Sequence, residues 1–393
     1  MNSLNNLVIS SVERLDGWLE KNGWAGYDPY DIRELPFLLK QNPSFFGKVL
    51  RKGFYTIESV APLFSRGLLS VDKRVNAKGM GLFAEGYLKL HKTTGRQKYF
   101  IKAKEALDWL SDNYSKGYSG MCWGYPFDWQ SRVFIPKGTP SSVVSSTVGS
   151  AYWAFYKFTA DSEYLDVCKG ICEFFLNDLN IDEIGGDRIC FSYTPVDNFH
   201  VNNANLFVAE FLIRVGKEIS NKDYTNYGLK AVNYTLSEQN EDGSICYWAK
   251  DQENRCRIDH YHSGFEIRSL YSIWKLTGDS DIYEALKRYY KFYLNNLFED
   301  KTIPKMTPKN LYPIDIHSCS EAILCNCLLC EEFPEGKEYL ENAIKWAVEN
   351  MQTGEGWFVY RIENTRGFKR KVKIPYIRWG QAWMLRGLSE YVS

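Results

Sequence analysis

The sequence predicts an all-α fold: an (α/α)6 toroid of six helical hairpins, closed into a ring by its own two ends. Three observations predict it. A unit of polar turn, tyrosine and amphipathic helix recurs five times at intervals near 60 residues. Each copy follows a second helix that is apolar nearly all round. The two ends of the chain each supply one unmatched helix.

The five copies are GRQKYFIKAKEALDWL, DSEYLDVCKGICEFF, NKDYTNYGLKAVNYTL, DSDIYEALKRYYKFYL and EGKEYLENAIKWAVEN. Their tyrosines, Tyr99, Tyr164, Tyr224, Tyr283 and Tyr339, are 65, 60, 59 and 56 residues apart, which leaves room for two helices and a long connection per unit. An open superhelix of ~34-residue repeats would need about half that period. The preceding helices are GMGLFAEGYLKL, STVGSAYWAFYKF, NANLFVAEFLIRV, GFEIRSLYSIWKL and SEAILCNCLLC, and RWGQAWMLRGLSEYV ends the chain. A helix apolar on all sides belongs inside an assembly, and one with a charged stripe belongs outside. Each unit therefore reads as an inner helix followed by an outer one. The sixth inner helix, about 376–391, has no outer helix after it, and the amphipathic N-terminal helix, about 4–21, has no inner helix before it. Pairing the two closes a single toroidal domain over 1–393.

The linkers repeat as well. GWAGYDPYD, GMCWGYPFDW, GDRICFSYTPVD, GSICYWAKD and GEGWFVYRI each run from Gly through alternating aromatic or β-branched residues, a pattern for short strands. They place aromatics around one mouth of the ring. Residues 32–70 fall outside the repeat and read as a rim insertion.

Composition narrows the partner. Lys plus Arg and Asp plus Glu number 48 each, so no electrostatic footprint for nucleic acid is present. No run approaches the ~18 apolar residues of a membrane span, and the N-terminal stretch lacks the pattern of a signal peptide. The ten cysteines are irregularly spaced, with Cys168 and Cys172 on one helix face and Cys325, Cys327 and Cys330 in one apolar run. Reduced thiols and a cytoplasmic location are the expectation. The aromatic share, 16%, is high, and much of it lies in the loops.

Two inner-helix starts nearly repeat each other, IDHYHSGFE and IDIHSCSE. Residues four apart share a helix face, so His262 with Glu266, and His317 with Glu321, are expected to project together into the mouth. A Glu on a buried helix is costly unless it is partnered or faces water, which makes these pairs candidate catalytic groups. A third start, VDNFHVNNAN, adds His200 as a candidate catalytic residue, and Asp197 and Asn205 as candidate binding residues. Asp259 is a candidate catalytic carboxylate; Asp197, Asp259 and Asp315 are equally readable as helix N-caps. His91 carries no assignment. Asp28, Asp31, Trp123, Tyr125, Asp128, Arg132, Arg378, Trp379 and Gln381 set polar groups among aromatics, which suits a ligand with hydroxyls on apolar ring faces. These are the candidate binding residues.

The six hairpins, the GYDPYD and DGSICYW loops and the IDHYHSGFE start resemble the six-hairpin superfamily of carbohydrate-active proteins. More narrowly, they are similar to a family encoded with exopolysaccharide and capsule biosynthesis genes. The resemblance covers nearly the whole chain. It implies a carbohydrate-active role in polysaccharide biosynthesis or modification, on an oligo- or polysaccharide or an activated sugar, without a cofactor. The superfamily includes glycoside hydrolases, polysaccharide lyases and sugar epimerases. The Arg-x-x-x-Pro-Gly-His segment of the 2-epimerases and the DDxxM-like pattern of unsaturated glucuronyl hydrolases are missing, so catalytic assignments do not carry over.

Four readings stay open. Proton transfer next to a carboxylate, of epimerase or lyase type, would use His262 and His317 tuned by their glutamates, with Arg378 holding the carboxylate. Glycoside hydrolysis would pair Glu266 with Glu321, or one of them with Asp28 or Asp128. A non-catalytic glycan-binding component needs neither. The related toroidal prenyltransferases and terpenoid cyclases give a fourth: a zinc-dependent reading with Asp315, His317 and Cys319. The site assignment requires Glu266 and Glu321 to face one cavity.

Overall fold

The computed structural model describes residues 3–39, 44–253 and 255–393. Six inner helices form the closed ring: α5 (Ala77–Thr94), α7 (Ser142–Thr159), α9 (Asn202–Glu218), α11 (His260–Thr277), α13 (Ile316–Leu329) and α15 (Trp383–Tyr391). Each packs on the next, and α15 packs back on α5. Outside lie α6 (Gln97–Asp112), α8 (Ser162–Asn177), α10 (Lys222–Ser237), α12 (Ser280–Asn296) and α14 (Gly336–Met351). The N-terminal α1 (Ser3–Asn22) fills the sixth outer place, against α14 and α15.

The division between layers follows from side-chain pattern. Along α13 no residue is exposed. Outer α12 instead buries Ile282, Ala285, Leu286, Tyr289, Tyr290 and Tyr293, a stripe at helical spacing, and leaves its charges in water. Three of the polar turns between inner and outer helices are side-chain caps: Asp161, Asn221 and Asp279 accept hydrogen bonds from the first free amides of α8, α10 and α12. At the end of α11, Gly278 adopts a left-handed φ of 69° that lets its amide reach back to Trp274 O.

Linkers form short antiparallel strands on the side where the inner helices begin, except that GWAGYDPYD and GSICYWAKD, expected as strands, make only the single bridges Gly26–Arg74 and Val201–Trp248. The hairpins are β1 (Trp129–Gln130) with β2 (Phe134–Ile135), β3 (Ile181–Glu183) with β4 (Ile189–Phe191), and β5 (Phe298–Glu299) with β6 (Ile303–Pro304). β7 (Ile314–Asp315), β8 (Arg361–Thr365) and β9 (Phe368–Val372) make a three-stranded sheet.

Of the rim insertion expected at 32–70, residues 40–43 lie outside the described residues. The rest holds a short turn (Asp31–Glu34) and α2 (Pro36–Leu39), α3 (Phe45–Val60) and α4 (Pro62–Leu68). It is pinned beside the mouth by Arg66, which pairs with Asp31 at 2.8 Å and donates to Asp28 O at 3.1 Å. Its outer surface leaves Phe46, Val49, Ile57, Val60, Phe64 and Leu68 exposed. Among the described residues no helix is long and apolar enough to cross a membrane.

The expectation of uniformly reduced thiols is corrected at one place. Cys246 and Cys256 form a disulfide that closes the loop ahead of α11, while the other eight cysteines are free. The two thiols meet because the loop folds back on itself, with Tyr247 N donating to Arg257 O at 2.8 Å.

Candidate functional site

The mouth of the ring holds a cleft of about 610 Å³ of atom-free space. The part that water could enter is about 90 Å³, which at about 10–15 Å³ per water is room for a small, ring-sized molecule. One rule generates most of its wall. The residue two positions after the N-cap of every inner helix lines it: Lys78, Val143, Asn203, Tyr261, His317 and Arg378. Arg378 obeys the rule through a π-helical turn, Ile377–Ala382, that leads into α15. The loops add Tyr30, Tyr125, Phe127, Trp129, Tyr193 and Tyr247, and the next helical positions add His262 and Trp379. Phe265 closes the inner end, packed on Trp383 at 5.3 Å. Six helix N-termini, the positive ends of their dipoles, thus converge on one small aromatic cavity.

His262 is held by a carboxylate. Its Nδ1 lies 2.7 Å from Asp259 Oδ2, while Asp259 Oδ1 accepts the His262 amide at 3.0 Å. Asp259 is therefore both N-cap and orienting carboxylate. That bond fixes the proton on Nδ1 and leaves Nε2 as an acceptor without a partner among the described residues. The ring lies between Tyr247 and Tyr261, each 4.3 Å away.

His317 differs. It is buried, stacked on Tyr261 at 4.7 Å and edged by Trp379 at 4.6 Å, and neither ring nitrogen has a hydrogen-bond partner among the described residues. Burial, then the charges of Lys78 and Arg378, push its pKa well below 6.5, so the imidazole is neutral. Buried polar atoms without partners are uncommon in folded proteins; here they face a cavity. Asn203 Oδ1 is likewise unpartnered. Arg378 is gripped by Asp28 through Nε at 2.6 Å and Nη2 at 2.8 Å. Burial alone would lower its pKa, but Asp28 raises it, so the guanidinium stays charged. Lys78 is buried with its Nζ 5.4 Å from the ring centres of both Phe265 and Trp383. Burial, then Arg378, pushes its pKa well below 10.5.

Of the residues selected by sequence, His262, His317, Tyr125, Arg378 and Trp379 line the cleft, and Asp259 and Asp28 stand directly behind two of them. The others do not reach it. Glu266 and Glu321 do not share the cavity, because four residues along a helix is also about 6 Å deeper, past the layer of Phe265 and Trp383. Glu266 turns outward and accepts a hydrogen bond from Tyr289 of α12. Glu321 pairs with Arg268 of α11 through Nε at 2.5 Å and Nη2 at 3.1 Å. The glutamates therefore do not tune the histidines.

His200 points away to Asp182 at 2.7 Å and Asp251 at 2.9 Å. Asn205 ties Phe191 N to Ala231 O, and Asp197 ties the loop amides of Tyr193, Thr194 and Phe199. Trp123 is buried and donates from Nε1 to Leu110 O at 2.9 Å. Gln381 is spent on the backbone of Phe358, and Asp31 on Arg66. Asp128 accepts from Lys137 N at 2.8 Å, and Arg132 stacks over Trp248 at 4.2 Å on a different surface depression. The zinc arrangement is not formed: Asp315 caps α13 and bonds Trp379 Nε1 at 2.9 Å, and no group of three metal-ligating side chains exists among the described residues.

Lys78, Asn203, Tyr193, Tyr247 and Tyr261 were missed. Counting from the cap would have found three of them, Lys78, Asn203 and Tyr261. NAK in α5 and DIH in α13 place Lys78 and His317 equally far from Asn76 and Asp315, and DHY places Tyr261 likewise from Asp259. Across the Phe265–Trp383 layer lies a second cavity rich in charge, but its acids are spent on its bases, with Arg386 to Glu85 at 2.6 Å and Lys89 to Glu390 at 2.9 Å.

No protein-family model matches the sequence, and no curated protein matches it. Solved structures do. A cellobiose 2-epimerase from Bacillus thermoamylovorans B4167 is 13% identical over 81% of this chain and 87% of its own, with a TM-score of 0.62. An unsaturated glucuronyl hydrolase specific for heparin is 10% identical over 99% and 96%, with a TM-score of 0.61. A D-mannose isomerase is 12% identical over 81% and 86%, with a TM-score of 0.61. The chain thus has the (α/α)6 toroid fold found in sugar epimerases, isomerases and glycoside hydrolases.

Proposed function

We propose that this chain is a carbohydrate-active enzyme that moves a proton at a sugar carbon next to a carbonyl or carboxyl group. The observation that carries the reading is the Asp259–His262 pair, 2.7 Å apart on the wall of an aromatic, sugar-sized cleft. His262 Nε2 takes the carbon-bound proton as Asp259 stabilises the imidazolium. The electron pair moves onto the adjoining carbonyl oxygen, where the charged Arg378 and the converging helix N-termini stabilise the negative charge. Neutral His317 offers one donor and one acceptor to sugar hydroxyls. Return of a proton to the opposite face of the same carbon gives an epimer, and return to the same face gives exchange without inversion; loss of a neighbouring leaving group gives an unsaturated sugar.

Paired-carboxylate hydrolysis fits less well, since no Asp or Glu is among the described residues lining the cleft. The test is incubation of candidate sugars and uronates in deuterated water, followed by NMR. Deuterium at a single carbon is expected with wild type, with a loss of about 10²- to 10⁴-fold in His262→Asn. A wild type that labels none of them, or a His262→Asn variant that labels equally fast, refutes the reading.

A further inference from the structure

The wall of the cleft carries a buried lysine without a counter-ion. Lys78 is 3% exposed, yet no carboxylate lies within ion-pair distance of its Nζ among the described residues, and its near neighbours are the ring faces of Phe265 and Trp383. Every acid around it is already committed. Glu321 is held by Arg268, Asp28 by Arg378, and Asp259 by His262. Asp315 is spent on the His317 amide and Trp379 Nε1. Arg378 has two nitrogens on Asp28 and keeps Nη1 free of any acceptor among the described residues. The cleft therefore presents the Lys78 amine and one guanidinium N–H of Arg378, at the positive ends of helices, with no negative group to receive them. A buried charge is costly unless it is paired, so Lys78 becomes a stable ammonium here only when an anion joins it.

We propose that Lys78 and Arg378 form a carboxylate subsite, so that the sugar held in this cleft is an acidic one, a uronate or another sugar acid. This rests on the sugar-binding reading above and narrows it. Two donor groups, the Lys78 nitrogen and Arg378 Nη1, match the two oxygens of a carboxylate, and the single charge that Lys78 gains matches its single negative charge, with Arg378 already balanced by Asp28; a phosphate brings more negative charge than that. Without ligand the amine sits far below its ordinary pKa, because burial and Arg378 both oppose its charge while Glu321 and Asp28 only partly offset them. Arg268 adds to that opposition. An arriving carboxylate reverses this balance, and Lys78 takes up a proton as the ligand binds.

The experiment is calorimetric titration of D-glucuronate, D-galacturonate, D-glucose and glucose 6-phosphate into wild type and Lys78→Met, in two buffers of different ionisation enthalpy. Wild type is expected to bind a uronate about 10- to 100-fold more tightly than glucose, with net proton uptake. Lys78→Met is expected to lose both the uptake and the preference, so that a uronate binds no more tightly than glucose. The variant control ties the uptake to Lys78, and uptake that persists in Lys78→Met overturns the assignment. So does a wild type that binds glucose as well as either uronate, or binds glucose 6-phosphate better. Should Lys78→Met fail to fold, the wild type still decides, since the uronate preference and the uptake are both required of it. Uronate binding without deuterium exchange would refute the reaction and leave the subsite standing.

Discussion

Glu266 and Glu321 occupy matching places in sequence, and their replacement by glutamine should have opposite consequences. Glu266 lies between α11 and α12, where burial holds its pKa well above 4.5 against the hydrogen bond from Tyr289. It is a neutral acid in the folded protein, and a glutamine side chain in its place would reproduce its shape, charge and acceptor. The expected cost of Glu266→Gln is at most about 1 kcal/mol. Glu321 is the sole ion-pair partner of Arg268 among the described residues, and Glu321→Gln strands that guanidinium. Breaking a buried pair costs about 3–5 kcal/mol; Arg268 retains 18% exposure toward the second cavity, which favours the lower end. With an unfolding entropy of about 2.1 cal/mol/K per residue over 393 residues, 3 kcal/mol corresponds to about 4 °C in Tm, and 1 kcal/mol to about 1 °C. The sign with pH separates the two further. The folded pKa of Glu266 is raised, so its contribution is complete below about 4.5 and is lost as pH rises toward the folded value. Glu266→Gln should therefore gain on wild type between pH 4.5 and 8. Calorimetric melts of both variants at pH 4.5, 6 and 8 test this. Equal losses in Tm, or loss of turnover in a fully folded Glu266→Gln, would refute the placement of these side chains outside the cleft.

Other expectations follow from the same geometry. Asp259→Asn retains a capping oxygen but loses control of the His262 tautomer, so kcat should fall by up to about 10⁴-fold with KM and Tm little changed; a proportional rise in KM would contradict a purely positioning role. Asp315 is raised to about 6 by burial, so its stabilisation is full below about 3.8 and is lost as pH climbs through 6. Asp315→Asn should match wild type at pH 4 and exceed it at pH 7 in chemical denaturation; the reverse order would show that the carboxylate is charged and paired. Thiol titration in denaturant should count eight free groups before reduction and ten after. Opening the Cys246–Cys256 loop, 10 residues apart, should cost up to about 3 kcal/mol, and ten thiols without reductant would disprove the bridge.

Much of the fold was legible because a ring of hairpins writes itself as a period. Tyr99, Tyr164 and Tyr224 mark the first turn of outer helices, behind short polar caps, and the contrast between SEAILCNCLLC and DSDIYEALKRYYKFYL is a contrast between a helix wrapped on all sides and one wetted along a stripe. The site was legible only in part. His262 and His317 were visible as rare ionisable groups at helix starts, but the i, i+4 rule says which residues share a face, not how deep the face runs. One turn past His262 the ring has already closed around Phe265, so Glu266 meets α12 instead of solvent. The Cys246–Cys256 pair was hidden for a different reason: two cysteines ten residues apart are ordinary in a chain with ten of them, and only the fold-back at Tyr247 brings them together.

The register at the cap explains why the cleft has such mixed chemistry. Six helices begin at one level, and the second residue of each points along its axis end toward the centre, so a single backbone rule delivers an amine, an aliphatic side chain, an amide, a phenol, an imidazole and a guanidinium to one small volume. The scaffold fixes position and potential, since every contributor stands at a positive helix end, while side-chain identity sets what the cleft can bind. That separation has a consequence for Val143, the one inert member of the set. It sits at the same level as Lys78 and Arg378 and leaves its sector of the wall apolar, so Val143→Asn, which adds hydrogen-bonding groups there, should change which sugar is preferred before it changes the rate on a given one. Affinities for a panel of epimeric uronates read this directly. An unchanged ranking, with Tm preserved, would mean that this sector never meets the ligand and that the bound sugar lies against the side formed by α11, α13 and the π-helical turn.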